Sequence, residues 1–161
     1  KAAVENYLQV YNKTYGLDFT VLRFSNVFGP RQNPFGEAGV VAIFAKSMLL
    51  GNPVTIYGTG EQERDFVYVL DVARAVNAAI LSPSAAVYNV GSGIGSTINH
   101  VFSILKNETS YELDPIKIDG KPGEVFKIYL DCSRAIQELG WLPSVSLEDG
   151  IGQTVEWFRS S

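Results

Sequence analysis

The residues best suited to chemistry lie in three loop-like segments, each of which combines glycine or proline with a cation. The first segment, Asn26–Pro34, falls within a loop predicted from Ser25 to about Gly39, directly after a strand-like run. Asn26 offers an amide that donates and accepts hydrogen bonds, and Arg31 offers a planar fork for an anion. Ligands of open α/β sheets bind beyond the carboxyl ends of strands, so this loop is well placed for binding. The alternative is a turn whose glycine and prolines only fix the backbone, and the residues alone leave both readings open.

The second segment, Tyr57–Phe66, is rich in glycine and contains Arg64. Its glycines would let the backbone approach a phosphate-bearing ligand closely, with Arg64 as a bidentate partner. Tyr57 is suited to lining a base pocket, or equally to packing in a core from a strand. The alternative for the whole segment is a hairpin turn in which Arg64 and Asp65 form a surface ion pair that adds little stability.

The third segment, Lys121–Glu124, separates a cation and a carboxylate by a Pro-Gly turn. The two side chains could grip a phosphate and ribose hydroxyls together, although charged turns are common and a plain surface turn is the simpler interpretation. A further glycine run, Gly91–Gly95, lacks the G-x-G-x-x-G spacing of a dinucleotide-binding loop.

Composition excludes several other classes of function. The net charge of −4, from 13 basic and 17 acidic residues, argues against a nucleic-acid partner. The longest apolar stretch, Ala38–Leu50, is interrupted by Lys46, so we predict no membrane partner. One histidine, His100, is expected on a helix face and argues against a metal site or a Ser-His-Asp triad. One cysteine, Cys132, excludes an internal disulfide and is typical of a reducing compartment, which predicts a cytoplasmic location.

Helical and strand patterns alternate along the chain with short connections, which predicts an α/β fold with a mostly parallel sheet portion and no break between separate domains. The predicted helices are Val4–Tyr15, Val40–Leu50, Asp71–Leu81, Thr97–Leu105, Ser133–Leu139 and a last one from Ser146 to about Arg159. The predicted strands are Phe19–Phe24, Val54–Tyr57, Asp65–Val69 and Val87–Val90, with strand-like residues at Tyr111–Ile118 and Lys127–Leu130.

Several helix ends carry capping residues. Gly16 and Gly140 follow helical runs and are expected to end them in the left-handed conformation. Asp71 is predicted as the N-cap of its helix, and Ser96 or Thr97 as that of the next. A variant capping box, Ser146–Asp149, is predicted to open the last helix.

Taken in order, these segments resemble the extended short-chain dehydrogenase/reductase family, specifically its NAD-dependent sugar-nucleotide epimerases and dehydratases. The matching segments cover nearly the whole chain; they are Leu22–Gln32, Ile56–Val72, Tyr88–Gly93 and Lys121–Glu124. Within the family, Gly36–Ala45 looks most like UDP-glucose 4-epimerases. The resemblance implies that residues 1–161 form a single unit, in which the C-terminal part of a Rossmann-type domain is intermixed with a small substrate-binding α/β subdomain.

The resemblance also implies roles for individual residues. Lys1 matches the lysine of the family's Tyr-x-x-x-Lys motif, a catalytic and cofactor-binding position that holds the nicotinamide ribose and lowers the pKa of the tyrosine. Asn26 and Arg64 would bind the substrate diphosphate, and Arg31 would be a further substrate-binding residue.

At the nucleoside end of the substrate, the backbone around Thr55 and the ring of Tyr57 would meet the base. Lys121 and Glu124 match an Arg-x-Gly-Asp/Glu element that contacts phosphate and ribose in the family. Lysine in place of arginine gives up the bidentate geometry at that position.

In this family NAD oxidises the sugar C4 hydroxyl while a tyrosinate takes its proton, the keto-sugar rotates, and hydride returns to the other face. The tyrosine would lie four residues before Lys1, and the sequence lacks the Gly-rich dinucleotide loop. We therefore expect a fragment of a longer chain that, alone, neither epimerises a UDP-sugar nor binds NAD tightly. The first helix matches one that helps form a four-helix homodimer interface in this family.

Two alternatives to a UDP-sugar 4-epimerase remain open. A sugar-nucleotide 4,6-dehydratase or a UDP-glucuronate decarboxylase would share the fold and NAD, and the acid and base carboxylates of the dehydratase lie upstream of this sequence. The Arg31–Pro34 and Gly36–Ala45 segments favour the epimerase. The alternative of another class is a non-catalytic nucleotide-sugar-binding or dimerisation module, which predicts a native short chain.

Overall fold

The structure, a computed structural model, describes residues 1–35, 39–82, 85–120 and 122–160. Helices and strands alternate through these ranges, as the sequence predicts. The helices are α1 (Ala2–Tyr15), α2 (Val40–Leu49), α3 (Val69–Leu81), α4 (Ile98–Thr109), α5 (Ser133–Leu139) and α6 (Leu147–Arg159). The strands are β1 (Thr20–Phe24), β2 (Asn26–Phe28), β3 (Thr55–Tyr57), β4 (Glu63–Tyr68), β5 (Ala86–Val90), β6 (Gly95–Thr97), β7 (Ile116–Ile118) and β8 (Lys127–Ile128).

Within the described ranges, the strands form three sheets. β1 pairs with β5, β3 pairs with β7, and β4 lies between β2 and β6 and also pairs with β8. Every one of these pairings is parallel except that of β4 with β6. Parallel pairs need crossover connections, and helices supply most of them here. The prediction of a mostly parallel α/β fold is therefore confirmed.

Strand β4 separates two groups of buried side chains, because successive residues of a strand point to opposite faces of the sheet. Phe66 and Tyr68 belong to a core built with α2, α4 and α6, whereas Val67 belongs to a second core with β5 and α5. Phe28 of β2 packs edge-on against Phe66 and Tyr68, with ring centroids 6.3 and 5.7 Å away. Packing on both faces therefore fixes the position of β4, and with it the position of the polar residues at its beginning.

Most of the predicted helix ends are confirmed. The hydroxyls of Thr97 and Ser146 accept first-turn backbone N–H groups of α4 and α6, each at 3.0 Å. Gly16 and Gly140 end α1 and α5 with left-handed φ angles of 68° and 60°. Helix α4 runs one turn further than predicted, to Thr109.

The prediction that Asp71 caps α3 is wrong. β4 stays extended through Tyr68, so the helix begins at Val69 and Asp71 lies inside its first turn. Its fully buried carboxylate instead accepts the backbone N–H groups of Ser144 and Val145 at 3.3 and 3.2 Å. Asp71 therefore holds the segment before α6 against α3.

The predicted loop from Ser25 to Gly39 contains a strand. Asn26–Phe28 forms β2, with Asn26 opposite Phe66 of β4 in a parallel register. Strand β6, at Gly95–Thr97, was likewise missing from the prediction. A strand of three residues contains too few positions for alternation to be visible in a sequence.

The structure shows where the single histidine and the single cysteine lie. His100 lies on an exposed face of α4, as predicted, with its Nε2 atom 3.3 Å from Glu148 Oε1. Cys132 is a free, buried thiol, and burial raises its pKa. Within the described ranges, none of the helices combines the length and the apolar character that crossing a membrane requires.

Candidate functional site

A cavity of about 550 Å³ opens between helix α2 and strand β3. One face of α2 forms an apolar wall, because four of its residues recur at helical spacing (i, i+3, i+4, i+7). These residues are Val40, Ile43, Phe44 and Ser47. The opposite wall is residues 53–57, which include β3, and the described lining is completed by Ile98 and by two polar side chains, Gln62 and Glu124. A mostly apolar cleft with a few polar groups is the usual form of a small-molecule site.

Three residues predicted to bind substrate line this cavity: Thr55, Tyr57 and Glu124. Thr55 and Tyr57 are two apart on β3 and therefore project to the same side of the strand. Ile56, between them, is only 1% exposed and anchors the strand in the core. Tyr57 is 41% exposed, so a ligand in the cavity can reach it.

Gln62 is a lining residue to which sequence reasoning gave no role. Its side chain is 8% exposed, and its Nε2 atom donates a 2.9 Å hydrogen bond to the backbone carbonyl of Tyr57. Its own backbone carbonyl accepts the N–H of Ile98, at the start of α4, at 3.3 Å. Gln62 therefore joins β3 to α4 at the cavity wall. A glutamine inside a polar run has no periodic signal that would reveal this position.

Arg64 forms an ion pair with Glu124 at the edge of the cavity, with Nη2 and Oε1 2.8 Å apart. Its Nη1 atom also donates to the carbonyl of Glu63 at 2.9 Å. The alternative that Arg64 forms a surface pair with Asp65 is wrong, because the two are neighbours on β4 and face opposite sides. The Arg64 and Glu124 side chains are 17% and 32% exposed, and partly exposed pairs contribute about 1 kcal/mol or less. The pair therefore adds little to the stability of the fold.

Asp65 is the second functional candidate that sequence reasoning missed. It is 2% exposed, and its carboxylate accepts hydrogen bonds from three residues of two other segments. Ser92 donates both its N–H and its hydroxyl at 2.7 Å, and Gly93 and Leu130 donate their N–H groups at 3.1 Å. Its partners lie far along the chain, so local sequence pattern could not identify them.

Strand pairing connects these residues to one another. Glu63 and Arg64 of β4 lie opposite Lys127 and Ile128 of β8. Across this pair, Lys127 Nζ lies 2.6 Å from Glu63 Oε1, and that hydrogen bond raises the pKa of Lys127. β8 follows Glu124 by three residues, so its pairing with β4 brings Glu124 to Arg64.

The remaining predicted site residues are less concentrated. Asn26 begins β2, beside the strand that carries Arg64. Arg31 lines a different cavity, of about 370 Å³. Lys1 is exposed and precedes α1, which contributes none of the described residues lining the 550 Å³ cavity. Lys121 lies outside the described residues.

The glycine run Gly91–Gly95 does not form a phosphate cradle. A dinucleotide phosphate binds where such a loop opens a helix, but here the loop leads into β6, which pairs antiparallel with β4. The N–H groups of Ser92 and Gly93 are also already donated to Asp65. This loop therefore does not fit the pyrophosphate of NAD.

Comparisons with known proteins identify the family. The NAD dependent epimerase/dehydratase family matches residues 1–91, more than half of the chain. The crystal structure of UDP-glucose 4-epimerase from Thermotoga maritima with UDP-glucose superposes with a TM-score of 0.97 at 49% identity, over 99% of this chain and 52% of that one. UDP-glucose 4-epimerase of Mycolicibacterium smegmatis is 38% identical over 99% of this chain and 51% of its own length.

More distant relatives in the same family have a different activity in their names. A dTDP-glucose 4,6-dehydratase of Salmonella typhimurium is 32% identical over 100% of this chain and 46% of its own length. The chain thus spans about half the length of the relatives that it matches. The family resemblance found in the sequence is confirmed: this chain belongs to the NAD dependent epimerase/dehydratase family.

Proposed function

We propose that this chain is the nucleotide-sugar-binding portion of a UDP-sugar 4-epimerase of the UDP-glucose/UDP-galactose type. In this proposal, residues 1–161 form a single unit that contains the last Rossmann elements and the substrate-binding α/β subdomain. The observation that carries it is the convergence of Thr55, Tyr57 and the Arg64–Glu124 pair at one cavity. Relatives named UDP-glucose 4-epimerase that match nearly the whole chain support the choice of substrate.

Each part of the site suits one part of a UDP-sugar. The apolar wall of α2 and the ring of Tyr57 form a slot for a planar base. The guanidinium of Arg64 matches the geometry of a diphosphate, with Asn26 on the adjacent strand as a second ligand. The carboxylate of Glu124 can accept ribose hydroxyls, and the ion pair with Arg64 holds the two groups in register.

The chemistry at the sugar follows from this division. NAD, when bound, exchanges a hydride with C4 of the sugar, and the residues of this chain hold the nucleotide while the sugar turns. Binding energy at the diphosphate and base thereby supports a reaction at a remote atom. Lys1 would complete the ribose contact of the cofactor, and Arg31 and Lys121 stay predictions as further substrate contacts.

The catalytic tyrosine of the family motif would precede Lys1, so residues 1–161 do not contain it. We accordingly expect residues 1–161 alone to have no epimerase activity and no tight affinity for NAD. Turnover of UDP-galactose by these residues alone would contradict this expectation.

A calorimetric titration with UDP tests the site directly. Replacing Arg64 with alanine should weaken binding by roughly 10- to 100-fold, because hydrogen bonds to charged groups contribute about 1.5–3 kcal/mol. A matched control is Arg134→Ala, since Arg134 also pairs with a glutamate, Glu138, but on α5. Equal affinities of the wild-type chain and Arg64→Ala would exclude Arg64 as a diphosphate ligand.

A related enzyme is the second candidate, because a 4,6-dehydratase also matches the whole chain. Product analysis on the protein that carries this chain separates the possibilities. Formation of UDP-galactose from UDP-glucose supports the epimerase, loss of water supports a dehydratase, and release of carbon dioxide from UDP-glucuronate supports a decarboxylase. Binding of UDP-sugars without turnover in that protein would support a non-catalytic module.

A homodimer through α1 is part of the proposal. Helix α1 contains no buried residue, and it presents apolar side chains on one face. These are Val4, Tyr7, Tyr11 and Tyr15, which are 60%, 67%, 51% and 74% exposed. Sedimentation should show a dimer that the Tyr11→Glu variant dissociates, whereas Tyr129→Glu, at an exposed tyrosine distant in sequence, should not dissociate it.

A further inference from the structure

We propose that Asp65 is a positioning residue that holds Glu124 against Arg64 by fixing the segment from Glu124 to Leu130. This inference rests on the proposed function, because it assigns Asp65 a role in the same substrate site. Asp65 follows Arg64 on β4 and points to the opposite face of the sheet, toward residues 92–93 and 130. It therefore acts on the substrate site through other residues, without touching the cavity.

The carboxylate of Asp65 is buried at a cost that its hydrogen bonds must offset. It is 2% exposed, and within the described ranges it forms no ion pair. Taking an isolated carboxylate out of water is unfavourable unless good donors surround it. Here three of the four donors are backbone N–H groups, from Ser92, Gly93 and Leu130. A side chain that accepts this set of hydrogen bonds fixes the position of two backbone segments at once.

One of those segments carries Glu124. The N–H of Glu63 donates to the carbonyl of Phe126 at 2.7 Å, and β8 then runs parallel to β4 with Ile128 opposite Arg64. After β8, the N–H of Leu130 donates a 3.1 Å hydrogen bond to the carboxylate of Asp65. β8 is only two residues long, so its own ladder specifies the register weakly, and a slip would move Glu124 away from Arg64.

The other segment leads to the carboxyl ends of β1 and β5. Gly91 packs so closely that a Cβ there would collide with the Asp65 carboxylate and approach Ser25 Oγ to 3.0 Å. The N–H of Ser25 donates to the carbonyl of Val90 at 3.0 Å, which joins the two strand ends. The carboxylate is thus confined between this loop and the strand that carries Arg64, so it cannot shift to follow a displaced Leu130.

The Asp65→Asn variant tests the role without changing the size of the side chain. An asparagine presents an NH₂ group where one pair of donors, from Ser92 or from Gly93 and Leu130, now meets an oxygen. In the protein that carries this chain, we expect affinity for UDP to fall about tenfold and the KM for UDP-glucose to rise about tenfold, with kcat within about twofold. The control is Asp131→Asn, at an exposed carboxylate that accepts the N–H of Ser133.

A double-mutant cycle with Glu124→Gln separates positioning from general destabilisation. If Asp65 acts through Glu124, Asp65→Asn should cost about tenfold in UDP affinity when Glu124 is present and less than about twofold in the Glu124→Gln background. A tenfold loss in both backgrounds, or an unchanged affinity in Asp65→Asn, would overturn the inference.

A second variant keeps the test informative where Asp65→Asn does not fold. Ser92→Ala removes the hydroxyl that donates to Asp65 and accepts the N–H of Ile94 at 3.1 Å, and it should weaken UDP binding about two- to threefold with the same dependence on Glu124. A loss that is independent of Glu124 would again contradict the inference. Failure of the proposed function looks different: Arg64→Ala and Glu124→Gln would then both leave UDP affinity unchanged, and the role of Asp65 would fall with it.

Discussion

The side-chain amide of Gln62 donates a 2.9 Å hydrogen bond to the backbone carbonyl of Tyr57. The bond closes the glycine-rich turn between β3 and β4, so that Tyr57 in the cavity wall and the strand that carries Arg64 are held in one unit. Gln62 is 8% exposed, and a buried amide is tolerated because it is hydrogen-bonded. The turn is therefore a preorganised part of the site.

Replacing Gln62 with methionine should weaken UDP binding without unfolding the chain. Methionine keeps the length of the side chain but leaves the carbonyl of Tyr57 without this donor. A hydrogen bond of this kind contributes about 0.5–1.5 kcal/mol, which corresponds to a loss of roughly 2- to 12-fold in affinity by calorimetry. The matched control is Gln153→Met in α6, where the amide oxygen accepts from the Tyr68 hydroxyl at 2.9 Å, outside the cavity lining. A larger loss in the control would refute a special role for Gln62.

The ring of Tyr57 should matter for binding, whereas its hydroxyl should not. Tyr57→Phe keeps the flat face beside the cavity, so its affinity for UDP should stay within about twofold of wild type. Tyr57→Ala removes the face, and loss of a base–aromatic contact costs about 1–3 kcal/mol, or roughly 5- to 150-fold. The same titrations measure both variants. Equal affinities of Tyr57→Ala and Tyr57→Phe would show that the base binds elsewhere.

The parts of this fold that could be predicted from the sequence are those that depend on local periodicity and local motifs. The face of α2 and the caps of α4 and α6 follow from residues within one or two turns, and the segments containing Tyr57 and Arg64 follow from residue type and family resemblance. The roles of Asp65 and Asp71 could not be predicted in this way. Their backbone partners, which include Ser92, Leu130 and Val145, lie 27 to 74 residues away, and contacts over such distances cannot be inferred from local sequence pattern.

Acid should remove the contribution of Glu138 to stability. Its carboxylate accepts 2.9 Å hydrogen bonds from Arg134 and Tyr88, and the bond from Arg134, followed by the one from Tyr88, lowers the pKa of Glu138 below its ordinary 4.5. A lowered pKa in the folded state gives stability that is present above the ordinary pKa and is lost as pH falls through the folded value. Wild type should therefore melt at a higher Tm than Glu138→Gln at neutral pH, and the difference in Tm should disappear as the pH falls through the lowered pKa of Glu138.

Salt provides the control for this prediction. The Glu138–Arg134 pair is exposed, so added NaCl should narrow the difference in Tm at neutral pH. All other titrating groups are common to the two proteins, so the difference isolates Glu138. A difference that is the same at neutral and acidic pH would contradict the lowered pKa.

Two glycines in α6 should respond to alanine with opposite signs. At Gly150 an added Cβ would lie 2.7 Å from Cζ of Phe28 and 3.0 Å from Cδ2 of Tyr68, and at Gly152 the nearest atom would be Oε2 of Glu108 at 3.5 Å. Phe28 is 3% exposed and held edge-on by its aromatic neighbours, so it cannot move aside. Overpacking of this kind costs about 1–3 kcal/mol of stability.

Gly152→Ala meets only an ordinary contact and should gain about 0.5–1 kcal/mol of stability from helix propensity. Urea denaturation should therefore show a lower midpoint for Gly150→Ala and a higher one for Gly152→Ala. Two shifts of the same sign would mean that α6 does not pack on β2 and β4 as described.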